Sequence, residues 1–172
     1  MNRKISIIYT WLVRTALFIF PDIPIVMMAR GWLYGFMMAR KGKNFQVAHS
    51  AILNSITELE VGDNVYCANN VIILCGGGVV LGDNVLFSPG VLISSNNHTY
   101  LDGSGYRFGD IDRGKVKVGS GAWICSNSVI TKGACFPSNS VLTPCSNYRS
   151  SESIAGIYSG NPALLVKKND GL

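Results

Sequence analysis

The sequence predicts an all-β fold, a solenoid in which short parallel strands stack in coils around an apolar core. Three observations predict it. Large aliphatic or aromatic residues recur with a spacing of six at Val118, Ile124, Ile130, Phe136 and Leu142, and a small residue stands four positions after each, at Ala122, Ser128, Ala134, Ser140 and Ser146. The turns "VGDNV" at Val61 and "LGDNV" at Leu81 are nearly identical. Hydrophobic residues make up 48% of the 172 and charged residues 15%, with 19 glycines, the balance of a packed fold rich in turns and not of a disordered chain.

The period selects the architecture. A helix repeats near 3.6 residues and a half-buried strand every two, so a period of six describes one short strand plus one corner. The large residue points inward, the small one fits the corner, and Gly-Asp-Asn supplies the turn. Three such sides close a coil of about eighteen residues, and stacked coils bury a ladder that no single coil can bury alone. The same period groups Val61, Cys67 and Ile73, then Leu81, Phe87 and Ile93.

Ahead of the repeat, residues 1–45 form an apolar helical segment. Arg3, Ser6, Thr10 and Arg14 share one helical stripe while Ile5, Ile8, Trp11, Leu12, Phe18 and Ile19 cover the rest, so most of this helix is expected to be buried. Pro21-Asp22 ends the run before it reaches the roughly 20 residues that span a bilayer. Pro24 opens a second helix, expected to run to about Lys41, with Gly31 and Gly35 letting another helix approach closely. Two readings of the pair stay open: packing on the domain or a neighbouring subunit, and contact of residues 1–40 with an anionic membrane surface.

Counting sixes from Leu81 reaches Phe87 and Ile93 and then fails until Val118. Residues 97–117 are therefore a loop inserted at a corner of the 46–147 solenoid, with His98 at its root, where chemistry usually sits. His49, the other histidine, reads as a structural or turn residue. Residues 148–172 form a C-terminal extension.

The net charge of +5 favours anionic partners, yet no Lys/Arg run exceeds two and no aromatic residues interleave with basic ones, which argues against nucleic acid. The five cysteines contain no C-x-x-C pair, so neither a zinc ribbon nor a disulfide framework is expected. Cys67 takes an inward position, and Cys125, Cys135 and Cys145 read as coil filler. Two histidines fall short of a three-histidine zinc site, and no metal is expected.

With the hexads, the segments "GDNVLFSPGVLISSNNH", "KVKVGSGAWICSNSVI" and "SGNPALLVKK" resemble the hexapeptide-repeat acyltransferases, whose prism is a left-handed parallel β-helix. Within that family they look most like the maltose- and galactoside-type sugar O-acetyltransferases and the polysaccharide O-acetyltransferases of capsule, O-antigen or exopolysaccharide assembly. The resemblance implies acetyl-CoA as co-substrate and a homotrimer with its sites between subunits. It makes His98 the general base, the Ser126 backbone N–H a donor to the oxyanion, and Asn69 a residue that orients the base or contacts the acceptor. Asn97, Asp102 and Tyr106 are then candidates for the acceptor. Trp123, Ser126, Arg149, Gly160, Asn161, Pro162, Ala163 and Lys167 are candidates for the cofactor.

The sequence departs from the family at the last coil, where "LTPCSNYRSSESIAGIYSGNPA" is longer than usual and Leu164 stands at a position that is commonly arginine. The implied function is acetyl transfer to a sugar hydroxyl of a polysaccharide-building unit, in the cytoplasm or peripherally at the inner membrane face, where the acceptor can be lipid-linked. The rivals are an N-acetyltransferase acting on a nucleotide-linked amino sugar and a non-catalytic β-helix that serves as a binding or assembly module.

Overall fold

The computed structural model describes residues 3–169. Its strands stack on three faces of a prism. The first face carries Arg40–Lys41, Leu59–Val61, Val79–Leu81, Val116–Val118 and Cys135–Phe136. The second carries Gln46–Val47, Tyr66–Cys67, Leu86–Phe87, Trp123–Ile124 and Val141–Leu142, and ends in the antiparallel hairpin of Gly156–Gly160 with Ala163–Lys168. The third carries Ile52–Asn54, Ile72–Leu74, Leu92–Ser94, Val129–Ile130 and Asn147–Tyr148. Neighbouring coils pair in parallel throughout.

The inward hexad residues are buried as expected. Val61, Cys67, Ile73, Phe87, Ile93, Ile124, Ile130 and Leu142 are fully inaccessible, and the corner residues Ala122, Ser128, Ala134, Ser140 and Ser146 are buried too. Each inward aliphatic side chain contributes roughly 1.5–3 kcal/mol of hydrophobic stabilisation. The two Gly-Asp-Asn turns and the Gly-Lys-Asn turn beneath them also stack. Asn44 Nδ2 donates to Asn64 Oδ1 at 3.0 Å and Asn64 Nδ2 to Asn84 Oδ1 at 3.1 Å, each 20 residues on. All three asparagines hold positive φ, a conformation their short polar side chains tolerate.

That ladder corrects the coil length. Below the loop the repeat is 20 residues, and it becomes 18 above it, where the Ser146 amide donates to Ser128 Oγ. The surplus sits at the corner between the third and first faces. There a 3-10 turn, Ile56–Glu58, buries Ile56, and Cys75 fills the corner one coil up. The inserted loop leaves from this already widened corner.

Two helices, α1 (Arg3–Ala16) and α2 (Pro24–Tyr34), lie across the first coil. Here the structure overturns two expectations. α2 stops at Tyr34, with the Gly35 amide bonded back to the Gly31 carbonyl and the Phe36 amide to the Leu33 carbonyl, and Arg40–Lys41 is already a strand paired with Glu60–Val61. The solenoid thus begins inside the segment assigned to the helices. Gly31 lies against the Phe45 carbonyl, where a Cβ would overlap it, and Gly35 lies against the Lys41 side chain, so neither glycine serves a helix–helix contact.

The second correction concerns α1. Its polar stripe faces inward: Ser6 and Thr10 are buried, while Ile5, Ile8, Trp11 and Leu12 are exposed. The small side chains let α1 approach the coil, and Thr10 Oγ1 satisfies itself on the Ile7 carbonyl at 3.0 Å. The Arg3 side chain lies outside the described residues.

Arg30 locks the hairpin to the prism. Only 1% exposed, it donates to the Leu17, Phe20 and Val47 carbonyls and to Asp22 Oδ1 at 2.6 Å.

Candidate active site

The inserted loop is an ordered ribbon. Asn96–His98 pairs antiparallel with Ile111–Arg113, placing His98 opposite Ile111. Its root is pinned by buried Ser95, whose hydroxyl donates to the Leu74 carbonyl and accepts from the Gly77 amide. Both the Thr99 amide and its hydroxyl bond the Asp110 carbonyl, and Lys132, on the next coil, holds Asp112 of the returning strand. The chain is back on the prism at Val116, slightly earlier than the sixfold count placed it.

His98 is exposed on this ribbon. It opens onto a recess of about 600 Å³ lined by Tyr106, Arg107 and Phe108. Tyr106 stacks edge-on with Tyr100 at 5.5 Å, and the Arg107 guanidinium lies over the Phe108 ring. Asn97 alternates to the opposite side of the strand. Asp102 sits at the tip, in the turn that Leu101 and Gly105 close. Neither lines the His98 recess.

The remaining candidates gather elsewhere. Asn69 and Ser126 turn the corner between the second and third faces, on different coils, and Trp123 precedes that corner. Trp123 is 45% exposed, and its Nε1 donates to Ser88 Oγ at 2.9 Å. Among the described residues the Ser126 amide finds no acceptor, while its carbonyl accepts from the Cys145 amide. Gly160 to Ala163 form the turn of the closing hairpin on the same side. The Gly160 amide donates to Ser146 Oγ, Asn161 Oδ1 accepts from Asn147 Nδ2 at 3.2 Å, and the Asn161-Pro162 peptide is cis. Lys167 is exposed on the outer strand of that hairpin.

Arg149 follows the third face, so it lies at the corner of the His98 ribbon and away from Gly160–Ala163. The candidates therefore fall into two sets on successive corners. One holds His98, Asn97, Asp102, Tyr106 and Arg149, and the other holds Asn69, Trp123, Ser126 and the 160–163 turn. One chain does not bring the sets together.

The second corner also contains residues that the sequence reading missed. Asn69 Nδ2 donates to Asp22 Oδ2 at 2.8 Å, and the same carboxylate takes the His49 amide at 2.9 Å and His49 Nδ1 at 2.7 Å, with Arg30 on its other oxygen. Burial pushes the Asp22 carboxyl up, but the hydrogen bonds from His49, Asn69 and Arg30 outweigh it and hold the group below its ordinary value. Beside this cluster, Arg14, Phe18, Ile19, His49 and Ser50 line a recess of about 360 Å³. The one available signal was that Asp22 is the only acid before Glu58.

The enclosed thiols offer no nucleophile on the prism. Burial pushes Cys67, Cys75 and Cys125 upward, away from the thiolate. Among the described residues no three His, Cys, Asp or Glu side chains group as metal ligands, and no helix is long and apolar enough to cross a membrane.

Comparison with solved structures decides the fold. A hexapeptide-repeat acetyltransferase of Vibrio cholerae, VCA0836, solved with acetyl coenzyme A, superposes with a TM-score of 0.83 at 18% identity, covering 98% of this chain and 89% of that one. The chain has the fold of the hexapeptide-repeat acetyltransferases. A maltose O-acetyltransferase from Clostridium difficile 630 gives a TM-score of 0.82 at 22% identity, over 98% and 88% of the two chains. The hexapeptide-repeat fold, with its left-handed β-helix, is thus the one the residues resemble.

In sequence, the galactoside O-acetyltransferase of Escherichia coli K12 is 30% identical over 111 residues, which are 62% of this chain and 52% of that enzyme. The chain spans about half the length of the sequence relatives it matches. A more distant likeness is to AntD, an N-acyltransferase from Bacillus cereus, with a TM-score of 0.63 at 16% identity over 80% of this chain and 86% of that one. No protein-family model matches the sequence.

Proposed function

We propose that this chain transfers the acetyl group of acetyl-CoA to a hydroxyl of a sugar, with His98 as general base, at sites formed between neighbouring copies of a homotrimer. The observation that carries this reading is the position of His98: outside the prism, on a pinned ribbon, above an open recess. The two sets of candidate residues support the assembly. They occupy successive corners of one chain and come together only when the ribbon corner of one copy meets the Asn69–Ser126 corner of another.

The chemistry follows from the residue types. A neutral His98 imidazole takes the proton of the acceptor hydroxyl as its oxygen attacks the thioester carbonyl. The resulting oxyanion accepts from a backbone N–H, and the unspent amide of Ser126 is the donor offered on the facing corner. Collapse re-forms the C=O bond, breaks the C–S bond and releases the CoA thiolate, which recovers the proton from the imidazolium. No covalent enzyme intermediate is needed.

Trp123 and the Gly160–Ala163 turn line the path proposed for the pantetheine arm, with Lys167 and Arg149 available to phosphate. Asn69 and its partner Asp22 present acceptor-side hydrogen-bonding groups, and Tyr106 and Phe108 wall the opposite side. The acceptor is proposed to be a polysaccharide-building unit, acetylated on the cytoplasmic side of the inner membrane. The likeness to an N-acyltransferase favours a second reading, in which an amine of a nucleotide-linked sugar is the nucleophile.

Thiol release from acetyl-CoA, screened over hydroxyl and amine sugar acceptors, separates the two. In the same assay His98→Ala is expected to lose about 10²–10⁴-fold in turnover while keeping its oligomeric state and CoA binding. Full turnover in His98→Ala would end the proposal, and a protein that binds no CoA would be a non-catalytic scaffold.

A further inference from the structure

The helical hairpin wears its apolar side outward. Of the 24 large hydrophobic side chains exposed among the described residues, thirteen lie between Ile5 and Phe36. α1 turns Ser6, Thr10 and Val13 to the first coil and leaves Ile8, Leu12 and Ile19 beyond it in solvent. α2 buries Met27, Arg30 and Tyr34 and exposes Ile25 and Trp32, with Phe36 exposed just past its end. Apolar density of this kind on a free surface marks an interaction site.

The same region is the basic end of the protein. Seven of the 15 Lys/Arg residues precede Glu58, against a single acid, Asp22, and the buried Arg30 is spent on that acid, which leaves six cations and no second acid in this stretch of sequence. At the edge of α2 the apolar stripe runs into a recess of about 580 Å³, with Met28, Trp32 and Phe45 in its wall and Arg40, Lys41 and Lys43 around it. Lys41 Nζ lies 5.7 Å from the centroid of the Trp32 ring. Asp63 also borders the recess, but it accepts the Lys43 amide. Glu60, beside Arg40 in register, reaches Lys115.

We propose that this outward face, with the recess at its rim, docks the protein onto the surface of an anionic phospholipid bilayer. The apolar stripes enter the boundary between headgroups and acyl chains, and headgroup phosphates sit among Arg40, Lys41 and Lys43. Neither helix is long enough to span, with 14 and 11 residues, so the hairpin lies in the interface plane. A second copy of the same face is a poor occupant, because it would set two strongly basic surfaces against each other. The docking does not depend on the acetyl-transfer reading.

The test is co-sedimentation of the full chain with phosphatidylcholine vesicles, with and without phosphatidylglycerol. Binding to the anionic vesicles is expected to be at least about tenfold tighter and to weaken as salt rises. The double variant Arg40→Gln/Lys43→Gln is expected to lose about tenfold or more of that preference. The triple variant Ile8→Gln/Leu12→Gln/Ile19→Gln, confined to exposed positions, is expected to lose binding to both vesicle types with no drop in melting temperature. Brominated lipid, which quenches Trp11 and Trp32 only at bilayer depth, gives a readout without variants, and quenching in anionic vesicles is the expected result. Equal binding to neutral and anionic vesicles, or unquenched tryptophan, would overturn the proposal. So would an oligomer that falls apart in the triple variant, since the face would then belong to another copy, or full competition by inorganic phosphate, which would make the recess a site for the free ion.

Discussion

The Asn69 side-chain amide donates to the Asp22 carboxylate at 2.8 Å across 47 positions of sequence, tying the turn between the two helices to a corner of the second coil. Asp22 also neutralises Arg30, which is buried and, among the described residues, pairs with no other acid. One carboxylate thus supports both the docking of the hairpin and the orientation of a candidate acceptor residue.

Asp22→Asn is therefore expected to cost on the order of 3 kcal/mol at neutral pH, because it leaves the Arg30 charge buried without a counter-ion. The pH dependence has a definite sign. The folded carboxyl is lowered below its ordinary value of 3.8, so the folded state binds fewer protons than the unfolded one near that pH. The stabilisation is complete above the ordinary value and is lost as the pH falls toward the folded one. Urea unfolding of wild type and Asp22→Asn at pH 7 and again near pH 3 should show the gap narrowing in acid; a constant gap would remove the ionic explanation.

If the sites are shared between copies, as proposed, two inactive variants should complement each other. His98→Ala and Asn69→Ala are each expected to be nearly inactive alone. Mixed in equal amounts and reassembled, they should recover about a quarter of wild-type turnover, since one site in four then draws an intact His98 and an intact Asn69 from different chains. No recovery, with mixed assemblies verified by mass, would mean that each chain carries its site alone.

At the upper end of the prism Phe136, Tyr148 and Tyr158 pack edge to face, with ring centroids 4.8, 5.3 and 5.6 Å apart. All three are essentially inaccessible, and the Tyr148 hydroxyl donates to the Cys135 carbonyl at 3.1 Å while accepting the Glu152 amide. Phe136→Ala should destabilise by about 3–5 kcal/mol. Tyr148→Phe should cost about 1 kcal/mol, enough to read as a shifted denaturant midpoint with an unchanged slope.

The five thiols should separate by reactivity. Cys145 is exposed, whereas Cys67 and Cys75 are fully enclosed and pushed up by burial. A thiol reagent added to the native protein is expected to label Cys145 first, and Cys67 and Cys75 only after denaturation. Rapid labelling of Cys67 in the folded state would contradict the inward hexad assignment.

The spacing of six was legible because each inward position from Val118 to Leu142 carries a large apolar side chain and the prism interior admits nothing else. The twenty-residue lower coils were not. Ile56 and Cys75 look like ordinary apolar residues, and only the paired register shows that they widen a corner. Periodicity placed Ser6 and Thr10 on one stripe of α1, yet it could not say which stripe the first coil would take, and the polar one won because it is the thinner. His98 announced itself by interrupting the repeat. The Asp22 cluster did not, because its members belong to a helix turn and two coil corners, and no single period relates them.

The ends of the stack carry a further consequence. A parallel stack of coils has an open row of backbone donors and acceptors at each end, a template on which another copy could polymerise end to end. Here α2 and α1 lie across the lower row on the second and third faces, and above, the second sheet turns back on itself through Asn161-Pro162 and finishes in Lys167 and Lys168. Both ends of the second sheet are blunted in this way. A chain shortened past Tyr34 would expose a sticky edge and gather into fibres.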